Sequence, residues 1–338
     1  MRLLVLKPDH LGDFVLALPS LWEAQLFLKQ QSATPEIDLL CAPANAIWTK
    51  ILPWLGSAFV LIHPRYQRPS PSYSHRLKLH LQAIRAGLKL RQRQYDYAVD
   101  LTNTPNDLLA KLVLIASGAR RRYGGKGAYS FLLHQAFEAP KERCHVTEIL
   151  AARFPTTWGV SGKTPPEVWM PEILRYQSEL TAPRMLISPW AGTPAKRWPV
   201  SHWREFLNMP LPLERILIAP LEKVAEAHLL AEGSHTRVFE VRSIRETLEL
   251  LAHSRLAIAM DSATAHFAWL TGTPLIQLFA GTTELERWRS LAPHATYLNA
   301  FPYCAPCHLE ICNQPRHFCM ENISPQRLME AVEEKLQR

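Results

Sequence analysis

The organisation of the chain is visible in residues 256–279, which read LAIAMDSATAHFAWLTGTPLIQLF. An apolar run of strand length precedes Asp261 and Ser262, and an alanine-rich segment of helical character follows them. A Thr-Gly-Thr-Pro turn at 271–274 then leads into a second apolar run, 275–279. Strand, helix and strand in this order predict one βαβ step of a parallel sheet. We expect Asp261 and Ser262 at the helix start, where side-chain oxygens cap free backbone N–H groups.

The start of this helix also has the character of an anion site. A helix N-terminus at the carboxyl end of a parallel strand presents free N–H groups and a positive dipole. The small residues at 262–265 let a ligand approach closely, and the obvious ligand is a diphosphate. The residues alone leave two interpretations open, an ordinary capped helix and a diphosphate site.

The same alternation of strands and helices runs through the rest of the chain. A first strand at 2–6 is followed by a Gly-containing loop and a helix, and a second such series begins at 184. Residues 156–171 are rich in Gly, Pro and Thr and are the expected linker. The pattern predicts two doubly wound α/β domains, with ligands at the carboxyl ends of the strands.

The loop after the first strand, 7–13, reads KPDHLGD and contains no Gly-x-Gly-x-x-Gly motif. Gly12 permits a tight turn and places Asp13 at the carboxyl end of the strand, where such sheets bind ligands. The alternative is that Asp13 caps the following helix.

Length and composition are those of a soluble globular protein. The chain has 338 residues, 47% of them hydrophobic and 20% charged, which fits roughly two domains. Residue 1 leads directly into a strand, and no apolar run approaches the ~20 residues needed to span a membrane, so we expect a cytoplasmic protein.

The net charge of +8 is unevenly distributed. No acidic residue occurs between Asp38 and Asp96, an interval that holds nine Lys and Arg residues: Lys50, Arg65, Arg68, Arg76, Lys78, Arg85, Lys89, Arg91 and Arg93. This basic block indicates an anionic partner or, alternatively, a merely solvated face. The predicted helix at 75–93 carries an apolar stripe of Leu77, Leu81, Ile84 and Leu88, typical of a helix lying on a membrane surface or of one facing the core.

Three blocks together resemble glycosyltransferase family 9, the ADP-heptose:lipopolysaccharide heptosyltransferases. They are Lys7–Asp13 with the Ala-Leu-Pro at 17–19, Ser188–Trp203 with its Lys-Arg-Trp-Pro, and Asp261–Pro274. The segment 95–123 is also similar to that family. The resemblance implies the α/β GT-B fold, with two facing Rossmann-like domains and an interdomain cleft.

The resemblance also implies a division of labour. Residues 1–160 would form the acceptor-binding domain and 161–322 the donor-binding domain, with the C-terminal helix 323–338 crossing back to the first domain. The implied reaction is metal-independent, inverting transfer of heptose from ADP-heptose to a lipopolysaccharide inner-core or related glycan. A protein acceptor, or a non-catalytic relative that binds polyanions, is the alternative. The implied partners are the nucleotide sugar, a lipid-linked or glycan acceptor and the anionic inner membrane, and no nucleic acid is expected.

Site residues follow from the matching positions. Asp13 matches the general base and Lys196 the lysine that contacts the donor diphosphate. The other implied donor-binding residues are Thr193, Glu222, Asp261, Ser262, Thr264 and His266. Trp190, where the family usually has a small polar residue, departs from the pattern.

Four of the six cysteines lie within sixteen residues, at Cys304, Cys307, Cys312 and Cys319. Four thiols in a cytosolic chain favour a metal over disulfides, and a tetrahedral site for structural zinc or iron fits their number. The alternative is a set of reduced thiols in a packed loop.

Overall fold

A computed structural model describes residues 1–67, 70–140, 143–176 and 182–337. Arg68 of the basic block and Arg338 at the end of the predicted terminal helix lie outside the described residues. The chain divides into two compact units, Met1–Trp169 and Met170–Arg338. This division comes slightly later than the expected boundary at 160/161.

In the first unit the strands are β1 (Arg2–Lys7), β2 (Glu36–Cys41), β3 (Ala58–Val60), β4 (Tyr97–Asp100), β5 (Arg121–Gly125) and β6 (Gln135–Phe137). The helices are α1 (Leu11–Val15), α2 (Leu18–Gln31), α3 (Trp48–Ile51), α4 (Tyr73–Leu90), α5 (Leu108–Ala116) and α6 (Val146–Ala151).

In the second unit the strands are β7 (Ala182–Ser188), β8 (Glu214–Pro220), β9 (Thr236–Val241), β10 (Ser254–Met260), β11 (Leu275–Leu278) and β12 (Thr296–Leu298). The helices are α7 (Val200–Asn208), α8 (Val224–Ala231), α9 (Ile244–Ala252), α10 (Ala263–Thr271), α11 (Leu285–Trp288), α12 (Phe318–Glu321) and α13 (Pro325–Leu336).

Over the described residues, each unit contains a parallel six-stranded sheet, in the orders β3-β2-β1-β4-β5-β6 and β12-β11-β10-β7-β8-β9. These are the same order, read from opposite edges, and both reverse direction between the first and fourth strands of the unit. The reversal lies at β1/β4 in the first unit and at β7/β10 in the second. In doubly wound sheets a ligand binds at the carboxyl ends of the strands that flank such a switch point.

The strands are apolar on both faces because helices cover both faces of a parallel sheet. Leu3, Leu4, Val5 and Leu6 of β1 have no exposed surface. One cluster of buried side chains fills the second unit and includes Leu328 and Val332 of α13. The terminal helix α13 also packs against α7 of the same unit, and its predicted return to the first domain stays a prediction.

By length and composition alone, one described stretch, Leu11–Gln31, is able to cross a membrane. This stretch consists of α1 and α2, and 67% of its apolar window is buried inside the protein. Core helices of soluble domains have the same character, so the match is weak. The prediction that no apolar run approaches this length was nevertheless wrong for this stretch.

The residues of α4 that face the core are not those of the predicted apolar stripe, apart from Ile84. The buried side chains of α4 are Leu79, Ala83, Gly87 and Leu90. Of the predicted stripe, Leu77, Leu81 and Leu88 are each at least half exposed, whereas Ile84 is partly buried against the core. The reason is steric. A Cβ at Gly87 would come within 2.7 Å of the Val113 carbonyl oxygen, so the side of α4 that carries Gly87 packs closely on α5, and Leu77, Leu81 and Leu88 lie away from it.

Candidate functional site

The carboxyl edge of the first sheet holds charged groups that are fully buried. The Lys7 and Asp9 side chains have no exposed surface, and Lys7 Nζ lies 3.2 Å from Asp9 Oδ2. Lys7 Nζ also donates to Asn103 Oδ1 at 2.7 Å, and the backbone N–H of Asn103 donates to Asp9 at 2.9 Å. These contacts join the loop after β1 to the loop after β4, across the switch point.

Asp13 lies in this edge and does not act as a helix cap. The N-cap position of α1 belongs to His10, and Asp13 is already within the first helical turn. Burial raises the pKa of the Asp13 carboxyl above its usual range. Lys7 and a hydrogen bond from Asn103 act in the opposite direction. A carboxylate at a strand end whose pKa is raised can accept a proton from a hydroxyl group within hydrogen-bond reach.

Sequence reasoning missed Asn103, which contacts Lys7, Asp9 and Asp13 together. The signal that points to it is its place in the loop directly after β4, on the other side of the switch point from Asp13. The network continues below, where Arg153 donates to the carbonyl oxygens of Asp100 and Thr102.

The second site lies at the carboxyl edge of the other sheet. Lys196 ends a short turn after β7, and Asp261 follows β10 directly. Because β7 and β10 are paired neighbours, these two residues meet at the switch point. Lys196 Nζ lies 2.5 Å from Asp261 Oδ2, with 25% of the Lys196 side chain and 6% of that of Asp261 exposed.

Several buried hydroxyl groups in the loops of this edge lack hydrogen-bond partners among the described residues. Ser262 occupies the N-cap position of α10 but makes no cap hydrogen bond, so the predicted cap was wrong. The hydroxyls of Thr193, Ser262, Thr282 and Thr283 are all buried and have no partner among the described residues. Buried hydroxyls are normally satisfied, so such a group marks a place for a ligand or bound water.

Thr282 and Thr283 were not predicted, because nothing in their local sequence shows that their hydroxyls lack partners. They follow β11, the neighbour of β10. Thr264, which was predicted, pairs with Ser188 of β7 through their hydroxyls at 3.0 Å. His266 is buried on α10. Glu222 follows β8 and is exposed at the same edge of the sheet.

The Lys-Arg-Trp-Pro segment is fixed from behind by buried contacts. Trp198 is 2% exposed, and its indole N–H donates to the Ile323 carbonyl at 2.8 Å. The imidazole of His317 lies 2.9 Å from the Ala195 carbonyl oxygen, and the Ala195 N–H donates to Glu310. The loop that bears the cysteines therefore braces the turn that presents Lys196.

Trp190 holds the start of the same loop. Its indole N–H donates to the Ile218 carbonyl of β8 at 2.6 Å, and Lys223 Nζ lies 5.5 Å from the ring centroid. The unexpected tryptophan thus ties the loop after β7 to the end of β8.

The four clustered cysteines are free thiols that line one cavity of about 20 Å³. Burial raises the pKa of Cys319, and the three other thiols add to this effect. In the described part of the chain, however, no three His, Cys, Asp or Glu side chains form a group that could hold a metal ion. As they are placed, the thiols do not fit the predicted zinc or iron site.

Residues 83–316 match the family model described as Glycosyltransferase family 9 (heptosyltransferase). The chain is 24% identical to lipopolysaccharide heptosyltransferase 1 of Pseudomonas aeruginosa, over 99% of this chain and 98% of that protein.

Solved structures show the same fold. E. coli heptosyltransferase WaaC with ADP superposes with a TM-score of 0.74 at 16% identity, over 99% of this chain and 100% of that chain. E. coli ADP-heptose lps heptosyltransferase II gives a TM-score of 0.72 at 19% identity, over 100% and 99%. Iron-containing dodecameric TibC of enterotoxigenic E. coli gives 0.56 at 13% identity, over 99% and 78%. The two doubly wound units and these likenesses confirm the predicted GT-B fold class.

Proposed function

Because the chain belongs to glycosyltransferase family 9, the heptosyltransferase family of lipopolysaccharide biosynthesis, we propose that it transfers a heptose from ADP-heptose to an inner-core or related glycan. The transfer inverts the configuration at the anomeric carbon. Two of the similar structures were solved with ADP or with an ADP-heptose analogue, which supports this donor class.

The first unit supplies the base in this proposal. Asp13 takes the proton of the acceptor hydroxyl as that oxygen forms its bond to the anomeric carbon. Burial keeps the carboxylate basic, while Lys7 and Asn103 keep it ionised and oriented. One displacement at the carbon gives inversion, with no covalent sugar–enzyme intermediate.

The second unit holds the leaving group. As the bond from the anomeric carbon to the diphosphate breaks, its electron pair passes to the diphosphate oxygen and ADP leaves. Lys196 and the N-terminus of α10 stabilise this growing charge. The buried hydroxyls of Thr193, Ser262 and Thr282 are donors for phosphate oxygens. Such preorganised donors need no metal for the chemistry, as the family resemblance also implies.

The observation that carries the proposal is the ion pair of Lys196 and Asp261 at the β7/β10 switch point, with the hydroxyls of Thr193 and Ser262 in the same two loops lacking partners among the described residues. A fold that only needed a capped helix would satisfy Ser262 in place. Instead, the Asp261 carboxylate holds the Lys196 ammonium group in the place where a bound diphosphate would become the partner of that ammonium group.

The decisive experiment measures nucleotide release from ADP-, GDP- and UDP-sugars with a lipid A–Kdo acceptor. We expect release from ADP-heptose that depends on the acceptor. Release from a GDP- or UDP-sugar would replace the donor, and donor binding without any release would favour the non-catalytic, polyanion-binding alternative.

A lipid-linked acceptor would place the enzyme in the cytoplasm at the inner face of the membrane.

A structural metal at the four cysteines is a further part of the proposal. The number of thiols around one small cavity and the iron-containing relative TibC support it, whereas the geometry of the free thiols does not. Elemental analysis of anaerobically purified protein decides it, since a structural site requires about one zinc or iron per chain.

A further inference from the structure

Two neighbouring helices of the first unit expose apolar rows to solvent. On α4 the row consists of Tyr73, Leu77, Leu81 and Leu88, which are 86%, 56%, 51% and 50% exposed. On α5 the exposed residues are Leu108, Leu112 and Ile115, at 39%, 36% and 38%. The two helices pack against each other. We refer to these seven residues as the α4–α5 face.

The row on α5 is unusual because of what it lacks. A helix on the surface of a soluble domain normally turns polar residues to the solvent. Every exposed position of α5 is Leu or Ile, and all its other residues are buried. Exposed apolar side chains gathered on two helices that pack together mark an interaction surface.

The charge around the face is strongly positive. The first unit contains 21 Lys and Arg against 12 Asp and Glu, whereas the second contains 17 against 18. The whole positive excess of the protein therefore lies in the unit that carries the α4–α5 face. The helix α4 itself has four Lys and Arg residues and no acidic one.

The cations beside the apolar row are available for a partner. At about 100° per residue, Lys78, Arg85 and Lys89 fall together on one side of α4, next to the row of leucines. All three are exposed, and none has an ion pair within the described part of the chain. Arg85 and Lys89 also border an open groove between α4 and β3 with a volume of about 750 Å³.

Arg93 borders the same groove but is already committed to the fold. It donates to fully buried Asp38 at 2.8 and 3.1 Å and to Glu36 at 2.6 Å. It therefore belongs to the structure of the unit, and it is excluded from the test below.

We propose that the α4–α5 face docks on the surface of an anionic lipid bilayer. The apolar rows enter the boundary between headgroups and acyl chains, and Lys78, Arg85 and Lys89 contact the lipid phosphates. Charge decides between this partner and a second copy of the chain. Two first units, each with a large positive excess, repel one another, while an anionic surface attracts either of them.

The test is sedimentation of the whole protein with vesicles of phosphatidylcholine alone or mixed with phosphatidylglycerol. We expect binding to the mixed vesicles only, weakening as salt rises. Changing Lys78, Arg85 and Lys89 together to Gln should weaken partitioning about 10²-fold, at about 1 kcal/mol for each cation. The matched control changes Arg237, Arg242 and Arg245 of the second unit to Gln, which removes the same charge and should leave partitioning unchanged.

A second variant tests the apolar rows, with Leu77, Leu81 and Leu88 changed to Gln. Each is at least half exposed, so the fold should persist with an unchanged Tm, and vesicle binding should fall. The proposal is overturned if the control variant loses as much vesicle binding as the Lys78, Arg85 and Lys89 variant. It is also overturned if the leucine variant binds vesicles as well as the wild type does. A dimeric wild-type protein and a monomeric leucine variant would also overturn the proposal, because the α4–α5 face would then bind a second copy of the chain. Loss of vesicle binding with ADP-heptose turnover intact separates this inference from the proposed function.

Discussion

The two switch points of this protein are built in opposite ways. At β1/β4 the buried groups satisfy one another, with Lys7 held by Asp9 and Asn103. The edge at β7/β10 holds one ion pair, together with buried hydroxyls that have no partner among the described residues. The same strand order thus supports an edge that fixes one carboxylate and an edge that leaves donors open. The first arrangement suits a general base, and the second suits a ligand with many acceptor oxygens.

The largest expected effect comes from removing the base. Asp13→Asn keeps the size of the side chain but cannot accept the proton, so kcat should fall by about 10²-fold or more. The donor Kd should stay the same, because the proposed donor contacts lie in the second unit. Acceptor-dependent ADP release and donor titration measure the two quantities.

The control for this variant is Asp96→Asn, at the start of β4 and thus at the opposite edge of the same sheet. It should retain the wild-type kcat. If Asp13→Asn keeps more than about half the activity, the first edge has no chemical role.

Changing the second edge should give the reverse pattern. Lys196→Ala removes the cation proposed for the diphosphate, and a charged hydrogen bond contributes about 1.5–3 kcal/mol, or about 10- to 10²-fold in donor Kd. Asp261→Asn should weaken donor binding less, since the lysine remains but is no longer held in place.

The neighbouring, exposed Arg197 provides the matched control for the lysine. Arg197→Ala should bind the donor as the wild type does. If Lys196→Ala and Arg197→Ala gave identical donor titrations, the diphosphate would not bind at this edge.

The sequence was informative where the local pattern determines the result. The apolar runs gave both sheets, and a Gly-Asp after β1 pointed to Asp13. The apolar row of α4 was visible as a stripe, but which stripe is buried depends on Gly87 fitting against α5, and that is a tertiary contact. The free hydroxyls of Thr282 and Thr283 could not be predicted either, because a missing partner is a property of the whole fold.

A smaller effect tests the open hydroxyls. Thr193→Val keeps the shape and removes a buried hydroxyl without a partner, so Tm should not fall. Donor Kd should rise about 2- to 10-fold, the value of one neutral hydrogen bond. In the control, Thr273→Val, the lost hydroxyl bonds to the Leu251 carbonyl at 2.9 Å. That variant should lose stability and keep its donor affinity. A loss of stability in Thr193→Val together with a loss of donor affinity in Thr273→Val would contradict the comparison.

The smallest effect concerns pH and the residue that the sequence did not reveal. Burial raises the pKa of Asp13, so kcat/KM should be lost on acidification at a higher pH than for an ordinary aspartate. The base must be ionised to accept a proton. A carboxylate with a raised pKa becomes protonated at a higher pH as the solution is acidified, so activity is lost at a higher pH.

Asn103 lowers that pKa through its hydrogen bond. Asn103→Ala should therefore move the acidic limb of the kcat/KM profile further upward, while Lys7 retains Asp9 as its partner. A purely structural role for Asn103 would lower kcat/KM equally at every pH, without moving the limb. A shifted limb with an unchanged donor Kd would show that the first edge tunes one carboxylate, whereas the second edge only binds.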